Sequence, residues 1–148
     1  MNKEELSKII DDLYLKSKEA YDNNEIPVSA CLVLNDGRIF FDRNRVEEND
    51  DPFSHAEYEV INKALKETEG RYLKDSILIV TLEPCLFCMG ALLKAGIKTL
   101  YYILPDTKLG SLSHYHAFVD DKLEVIEIED KRFASLMDSF FKNIRKKN

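Results

Sequence analysis

Ile77-Leu78-Ile79-Val80-Thr81-Leu82-Glu83-Pro84-Cys85-Leu86-Phe87-Cys88 is the stretch on which the fold turns. Ile77 to Thr81 reads as a short buried strand, and it runs directly into Pro84 and a helix over Cys85 to Ala95 closed by Gly96. A strand feeding straight into a helix is the unit of a layered α/β domain, and the flanking sequence keeps the alternation going. Upstream, Leu6, Ile9, Ile10, Leu13, Ala20 and Tyr21 recur at helical spacing, which predicts an amphipathic helix over residues 3 to 23 ended by Asn23 and Asn24. Val28 to Leu34 and Ile39 to Phe41 read as two strands of a hairpin closed at Asp36-Gly37. The polar, acidic segment Glu47 to Pro52 precedes a helix capped by Ser54, with Val60, Ile61, Ala64 and Leu65 on its core face and its end near Gly70.

Downstream, Thr99 to Ile103 and Leu123 to Ile128 complete a set of five strands. Between them lies an irregular stretch, Leu104 to Phe118, too long for a mere connector and of the length that often carries function. Phe133, Leu136, Met137, Phe140, Phe141 and Ile144 trace the apolar face of a closing helix. No repeat and no linker rich in Pro, Gly or Ser divides the sequence, so residues 1–148 are expected to form one domain.

A chain of 148 residues with 45% hydrophobic and 32% charged residues has the composition of a globular domain, which excludes collagen, coiled-coil and disordered classes. Apolar runs such as Ile77 to Val80 are far shorter than the roughly 18 residues of a membrane span, so no membrane association is expected. The start Met1-Asn2-Lys3-Glu4-Glu5 has acidic residues where a secretory signal needs a basic region, so a cytoplasmic location is expected. The net charge of -6 hides an asymmetry: Lys131 to Asn148 carries +5, and the 130 residues before it carry -11. A basic tail on an acidic body suits local contact with nucleic acid, or simply a solvated helix end.

Cys85 and Cys88 stand three apart at a helix start, where both project to one side and can grip one ion. Unpaired N–H groups and the helix dipole favour thiolates there, which suits metal binding and redox chemistry alike. His55-Ala56-Glu57 narrows that ambiguity by adding a nitrogen ligand and, two residues on, a carboxylate. His55, Cys85 and Cys88 leave the fourth tetrahedral position of a zinc ion for water, whose pKa zinc lowers from about 15.7 towards about 7. A structural site would use four protein ligands, so the missing fourth favours catalysis. Glu57, beside that water and not ligating, can take its proton and pass it to a leaving amine, which is hydrolytic deamination; H-x-E with P-C-x-x-C is the known zinc-deaminase signature. Cys31, inside the apolar run, reads as a small buried hydrophobe, and His114 and His116 read as surface histidines.

With these motifs on the page, the sequence resembles the cytidine and deoxycytidylate deaminase superfamily, and within it the bacterial tRNA-specific adenosine deaminases. The likeness runs from Glu25-Ile26-Pro27-Val28 through Asn44-Arg45, Asp51-Pro52-Phe53-Ser54-His55-Ala56-Glu57 and Thr81-Leu82-Glu83-Pro84-Cys85, then Asp106-Thr107-Lys108 and Phe140-Phe141-Lys142-Asn143-Ile144-Arg145. Three places depart from the branch: Ser29 stands where Gly is common, Ile103-Leu104-Pro105 replaces small residues, and Leu109-Gly110-Ser111-Leu112 only partly matches a turn rich in Gly and Ala.

The resemblance implies a three-layer α/β/α sandwich on a mixed five-stranded sheet, one zinc ion per chain on His55, Cys85 and Cys88, and Glu57 as proton shuttle. It further implies that Val28 walls a base pocket, that Asn44 hydrogen-bonds a flipped base, and that the backbone after Pro84 helps hold the attacking oxygen. Asp106 and Lys108 would lie against the nucleotide backbone, and Phe141 and Arg145 would flank a tRNA anticodon loop, as unpaired RNA bases are held by stacking and by cations. Conversion of the wobble adenosine to inosine in the ACG anticodon of an arginine tRNA by a homodimer is the activity so implied. Two rival readings are a deaminase of a free base or nucleotide (guanine, cytosine or deoxycytidylate) and a non-catalytic zinc module that binds RNA.

Overall fold

The computed structural model of the protein describes residues 1–70 and 72–147. Helix α1 (Lys3–Asp22) leads into strands β1 (Ser29–Val33) and β2 (Ile39–Arg43), a short helix α2 (Val46–Asn49) and helix α3 (Ala56–Thr68). Strand β3 (Ile77–Leu82), helix α4 (Leu86–Ala95), strands β4 (Thr99–Leu104) and β5 (Glu124–Glu127) and helix α5 (Lys131–Lys147) follow. The sheet runs β2-β1-β3-β4-β5. Its first three strands pair antiparallel, and β3-β4 and β4-β5 pair parallel, so the sheet is mixed.

Alternation along the strands divides the core in two. Ala30, Leu32, Leu78, Val80 and Leu100 face one way and are covered by α3 and α4 through Val60, Ala64, Met89 and Leu92. Cys31, Ile79 and Ile103 face the other way, against α1 (Ile9, Ile10, Leu13) and Phe133 of α5. Three layers result, as the alternation of strands and helices implies. Cys31 is fully buried among apolar side chains, as its surroundings in sequence suggest. Ser29 is buried too, and α1 accommodates it: its hydroxyl donates to the Leu13 carbonyl at 2.7 Å and meets the Ser17 hydroxyl at 2.8 Å.

The two expected turns hold. Gly37 closes the hairpin at φ +92, and Gly96 ends α4 at φ +87, conformations that cost a residue with a Cβ. Ser54 does not cap α3, however: His55 holds the N-cap position, and the Ser54 hydroxyl accepts instead from the Asn49 amide at 3.2 Å. Glu69, in the left-handed conformation, ends that helix one residue before Gly70.

Helix α2 is a further difference, because it lies where the sequence shows only a polar segment. Four residues have no intrinsic helical stability, so tertiary contacts form it. The buried Glu25 carboxylate accepts the Glu47 and Glu48 N–H groups at 2.9 and 2.7 Å. Arg43, also buried, ties Glu48 (2.8 Å) to Glu19 of α1 (2.6 Å).

Candidate active site

The carboxyl end of β3, the N-termini of α3 and α4 and one side of α5 enclose a cleft of about 620 Å3, a size that suits one small-molecule moiety. His55 and Cys85 occupy the N-cap positions of α3 and α4, and neither side chain caps its own helix. Both point instead at a common centre. Among the described residues, His55, Cys85 and Cys88 form the one group of side chains whose ligand atoms all lie within 4.8 Å of one another. Each sulfur is 3.6 Å from His55 Nδ1, which matches the separation of about 3.5–3.8 Å between two ligands on one tetrahedral zinc ion. The donor set and its spacing therefore fit zinc, with room for a fourth ligand on the cleft side.

Electrostatics at the site follow from the pairing of the sulfurs. The Cys88 thiol beside Cys85, helped by His55, pulls the Cys85 thiol down to about 4, while the Cys85 sulfur and burial push Cys88 well above its ordinary value. The Cys85 sulfur in turn holds His55 above its ordinary value. Metal binding at a centre of two thiols and an imidazole releases protons. Glu57 lies outside the ligand group, lines the cleft and is 4% exposed. Burial pushes its carboxyl up to about 7, in the range where one group can both accept and return a proton.

Val28, Asn44, Asp106 and Phe141 line the same cleft, as do Phe140 and Ile144. The Asn44 side-chain oxygen is buried without a hydrogen-bond partner among the described residues, an arrangement that points to a ligand as the missing donor. Pro84 is buried behind the metal-holding turn, its carbonyl accepting from Ser111. Lys108 and Arg145 are exposed and do not line the cleft. Among the described residues no Lys or Arg lines it, while Glu25, Glu47, Glu57, Glu83 and Asp106 do. His114 and His116 are exposed and outside the ligand group. The Lys147 side chain and Asn148, part of the basic stretch, lie outside the described residues.

The roles of two carboxylates are not readable in the sequence. Glu25 and Glu83 are almost fully buried, at 0% and 2% exposed, and both accept backbone N–H groups. Burial raises the Glu83 carboxyl, but the Ser113 hydroxyl and the N–H groups of Ser113, Asp106 and Leu112 outweigh it and hold the group below its ordinary value. Their partners lie 22 to 30 residues further along the chain, beyond the reach of any periodicity. The only local signal is a carboxylate set against Ile26-Pro27 or Pro84.

The sequence profile of the cytidine and deoxycytidylate deaminase zinc-binding region matches residues 3–104. The chain belongs to the cytidine and deoxycytidylate deaminase family. Zinc is accordingly the metal for the His55, Cys85 and Cys88 centre. Within this deaminase family, the chain is 35% identical over 136 residues to the tRNA-specific adenosine deaminase of Rickettsia felis, a match that covers 85% of this chain and 93% of that one. A solved structure from work on A-to-I editing by tRNA:A34 deaminases superposes with a TM-score of 0.76 at 30% identity, over 84% of this chain and 99% of that one. The guanine deaminase of Bacillus subtilis superposes with a TM-score of 0.63 at 30% identity, over 82% and 73% of the two chains. The mixed sheet between two helical layers is thus the fold of these deaminases. No helix among the described residues is long and apolar enough to cross a membrane.

Proposed function

We propose that this protein hydrolytically deaminates the wobble adenosine of a tRNA anticodon to inosine, in the cytoplasm, with the whole chain acting as one catalytic domain. The observation that carries the reading is the cleft itself: it borders the metal-ligand group and a buried carboxyl, and among the described residues carboxylates and apolar groups line it with no Lys or Arg. A phosphate inside it would meet five carboxylates and no Lys or Arg among the described residues, which disfavours a free nucleotide such as deoxycytidylate. A neutral base turned out of an RNA loop would leave its phosphates outside. There Arg145, one helical turn from Phe141, and Lys108 are exposed to meet them. The identity to tRNA-specific adenosine deaminases supports the same substrate class.

In this reading His55, Cys85 and Cys88 hold zinc, which when bound supplies Lewis-acid activation of water. Glu57 accepts a proton from the attacking water at its carboxylate and passes it to N1 of the base as oxygen adds to C6, then carries the remaining hydroxyl proton to the departing amine, leaving C6 as a carbonyl. The C6–O bond forms, the C6–N bond breaks, and inosine and ammonia leave. Asn44 holds the base edge through the side-chain oxygen that has no other partner, and Val28 and Phe141 flank the ring. We also propose a homodimer, joined over the exposed Phe53 and Phe87, whose rings meet at a tilt with centroids 4.9 Å apart; sedimentation of the intact chain tests this.

The 30% identity to a guanine deaminase supports a second reading, in which a free purine enters the same cleft. The two separate in one experiment: inosine formation in an unmodified ACG-anticodon tRNA transcript, beside ammonia release from guanine, cytosine, adenosine and deoxycytidylate. Inosine at the wobble position without free-base turnover is expected. Turnover of a free base alone would replace the tRNA reading and leave the basic helix end a solvated surface.

A further inference from the structure

The long stretch after β4 does not hang over the cleft as an open loop. It is wrapped around one buried side chain. Glu83, at the end of β3, donates its own N–H to the Leu104 carbonyl at 2.8 Å, and both oxygens of its carboxylate accept from the loop. Oε1 takes the Asp106 N–H at 3.1 Å and the Ser113 hydroxyl; Oε2 takes the N–H groups of Leu112 and Ser113 at 2.9 and 2.8 Å. The next residue continues the pattern, since the Pro84 carbonyl accepts the Ser111 N–H at 2.9 Å and the Ser111 hydroxyl at 2.7 Å, and Cys85 bridges antiparallel to Gly110.

Gly110 fits because it has no side chain. A Cβ there would fall within 3.0 Å of both Glu83 Oε2 and the backbone carbonyl oxygen of Asp106, and backbone cannot move aside as a flexible side chain can. The loop closes further on itself: the Asp106 carboxylate accepts the N–H groups of Lys108 and Leu109 at 3.1 Å, and the Gly110 N–H donates to the Asp106 carbonyl at 2.9 Å. Two residues of this knot, Asp106 and Leu109, line the cleft.

We propose that Glu83 is a positioning residue whose carboxylate, with Gly110 packed on it, pre-forms the wall of the substrate cleft over residues 106–113 and ties that wall to the metal-holding turn. The wall is built before substrate arrives, so none of the ordering is left to the binding step. The kinetic consequence rests on the function proposed above; the structural claim does not.

The test uses the intact zinc-loaded protein and the variants Glu83→Gln and Gly110→Ala. The first substitution keeps the side-chain shape but presents an amide N–H2 group to one pair of donors, and the methyl group added by the second pushes the loop off the carboxylate from the other side. Hydrogen exchange read by mass spectrometry should show residues 106–113 protected in the native protein, with exchange there faster by about tenfold or more in both variants, as expected when a hydrogen bond to a charged group is lost. Zinc content should stay at the native level. With the tRNA transcript as substrate, KM should rise by about tenfold while kcat changes less than about threefold, because binding contacts remote from the reacting bond are weakened alike in ground and transition states. Native-like exchange over 106–113 in both variants would overturn the proposal, as would loss of zinc in step with loss of activity, which would mark Glu83 as part of the metal site's stability alone. If the native protein leaves tRNA unchanged, the function reading fails, and the exchange data still decide the role of Glu83.

Discussion

At the scale of single residues the site separates three side chains that form a metal-ligand group from a buried carboxyl that stands apart from it. Glu57 sits two residues from His55 but outside the ligand group, and its burial raises its carboxyl to about 7. Glu57→Ala is therefore expected to keep about one zinc per chain by elemental analysis and to lose turnover by about 10²-fold to 10⁴-fold, the usual contribution of a positioned acid–base group. Cys88→Ser should do the opposite to the metal: zinc content falls, and the thermal midpoint falls with it, since metal binding is coupled to folding of its site. Zinc loss in the Glu57 variant, or full zinc in the Cys88 variant, would reverse these assignments.

At the scale of elements, α5 has two adjoining apolar residues with different tasks. Phe140 is 7% exposed and meets Tyr21 of α1 edge-on at 5.6 Å, so although it also borders the cleft it ties α5 to its neighbour α1 in the same layer. Phe141 is 40% exposed and turns to the cleft with Ile144. Phe140→Ala should lower unfolding free energy by about 2–4 kcal/mol in urea titrations. Phe141→Ala should change stability by less than about 0.5 kcal/mol yet weaken tRNA turnover by the equivalent of about 1–3 kcal/mol, the usual worth of a base–aromatic stack. Equal stability losses in the two variants would assign both rings to the core. The helical repeat groups these two residues with Phe133 and Met137 on one apolar face, and periodicity alone cannot tell a stripe that meets a core from one that borders a cleft.

At the scale of the whole molecule, charge is distributed rather than abundant. The acidic body carries -11 and the last 18 residues carry +5, so only local contact with a polyanion is favourable. If Lys108, Lys142, Arg145 and Lys146 meet RNA phosphates, log K for the tRNA transcript should fall against log salt with a slope of roughly -3, as release of counterions from about four single-strand contacts requires. A flat salt dependence would remove these cations from the interface.

The sequence by itself marked the elements in order, α2 excepted, and singled out His55, Cys85 and Cys88 as a ligand set with Glu57 as the carboxylate beside it. Each is a local pattern: strand-to-helix junctions at Thr81–Cys85, a thiol pair at helical spacing, and a histidine with a carboxylate two residues on. It also marked Gly37 and Gly96 as turns, because positive φ is a property of single residues. Only the tertiary structure decided that His55 replaces Ser54 at the start of α3, because the N-cap side chain was drawn to two sulfurs 30 and 33 residues away. It alone decided that Glu25 builds α2, that Glu83 gathers the loop around itself and that Asn44 keeps an oxygen free. Those outcomes depend on which donors a buried carboxylate meets once the layers have closed, and sequence distance carries no information about that.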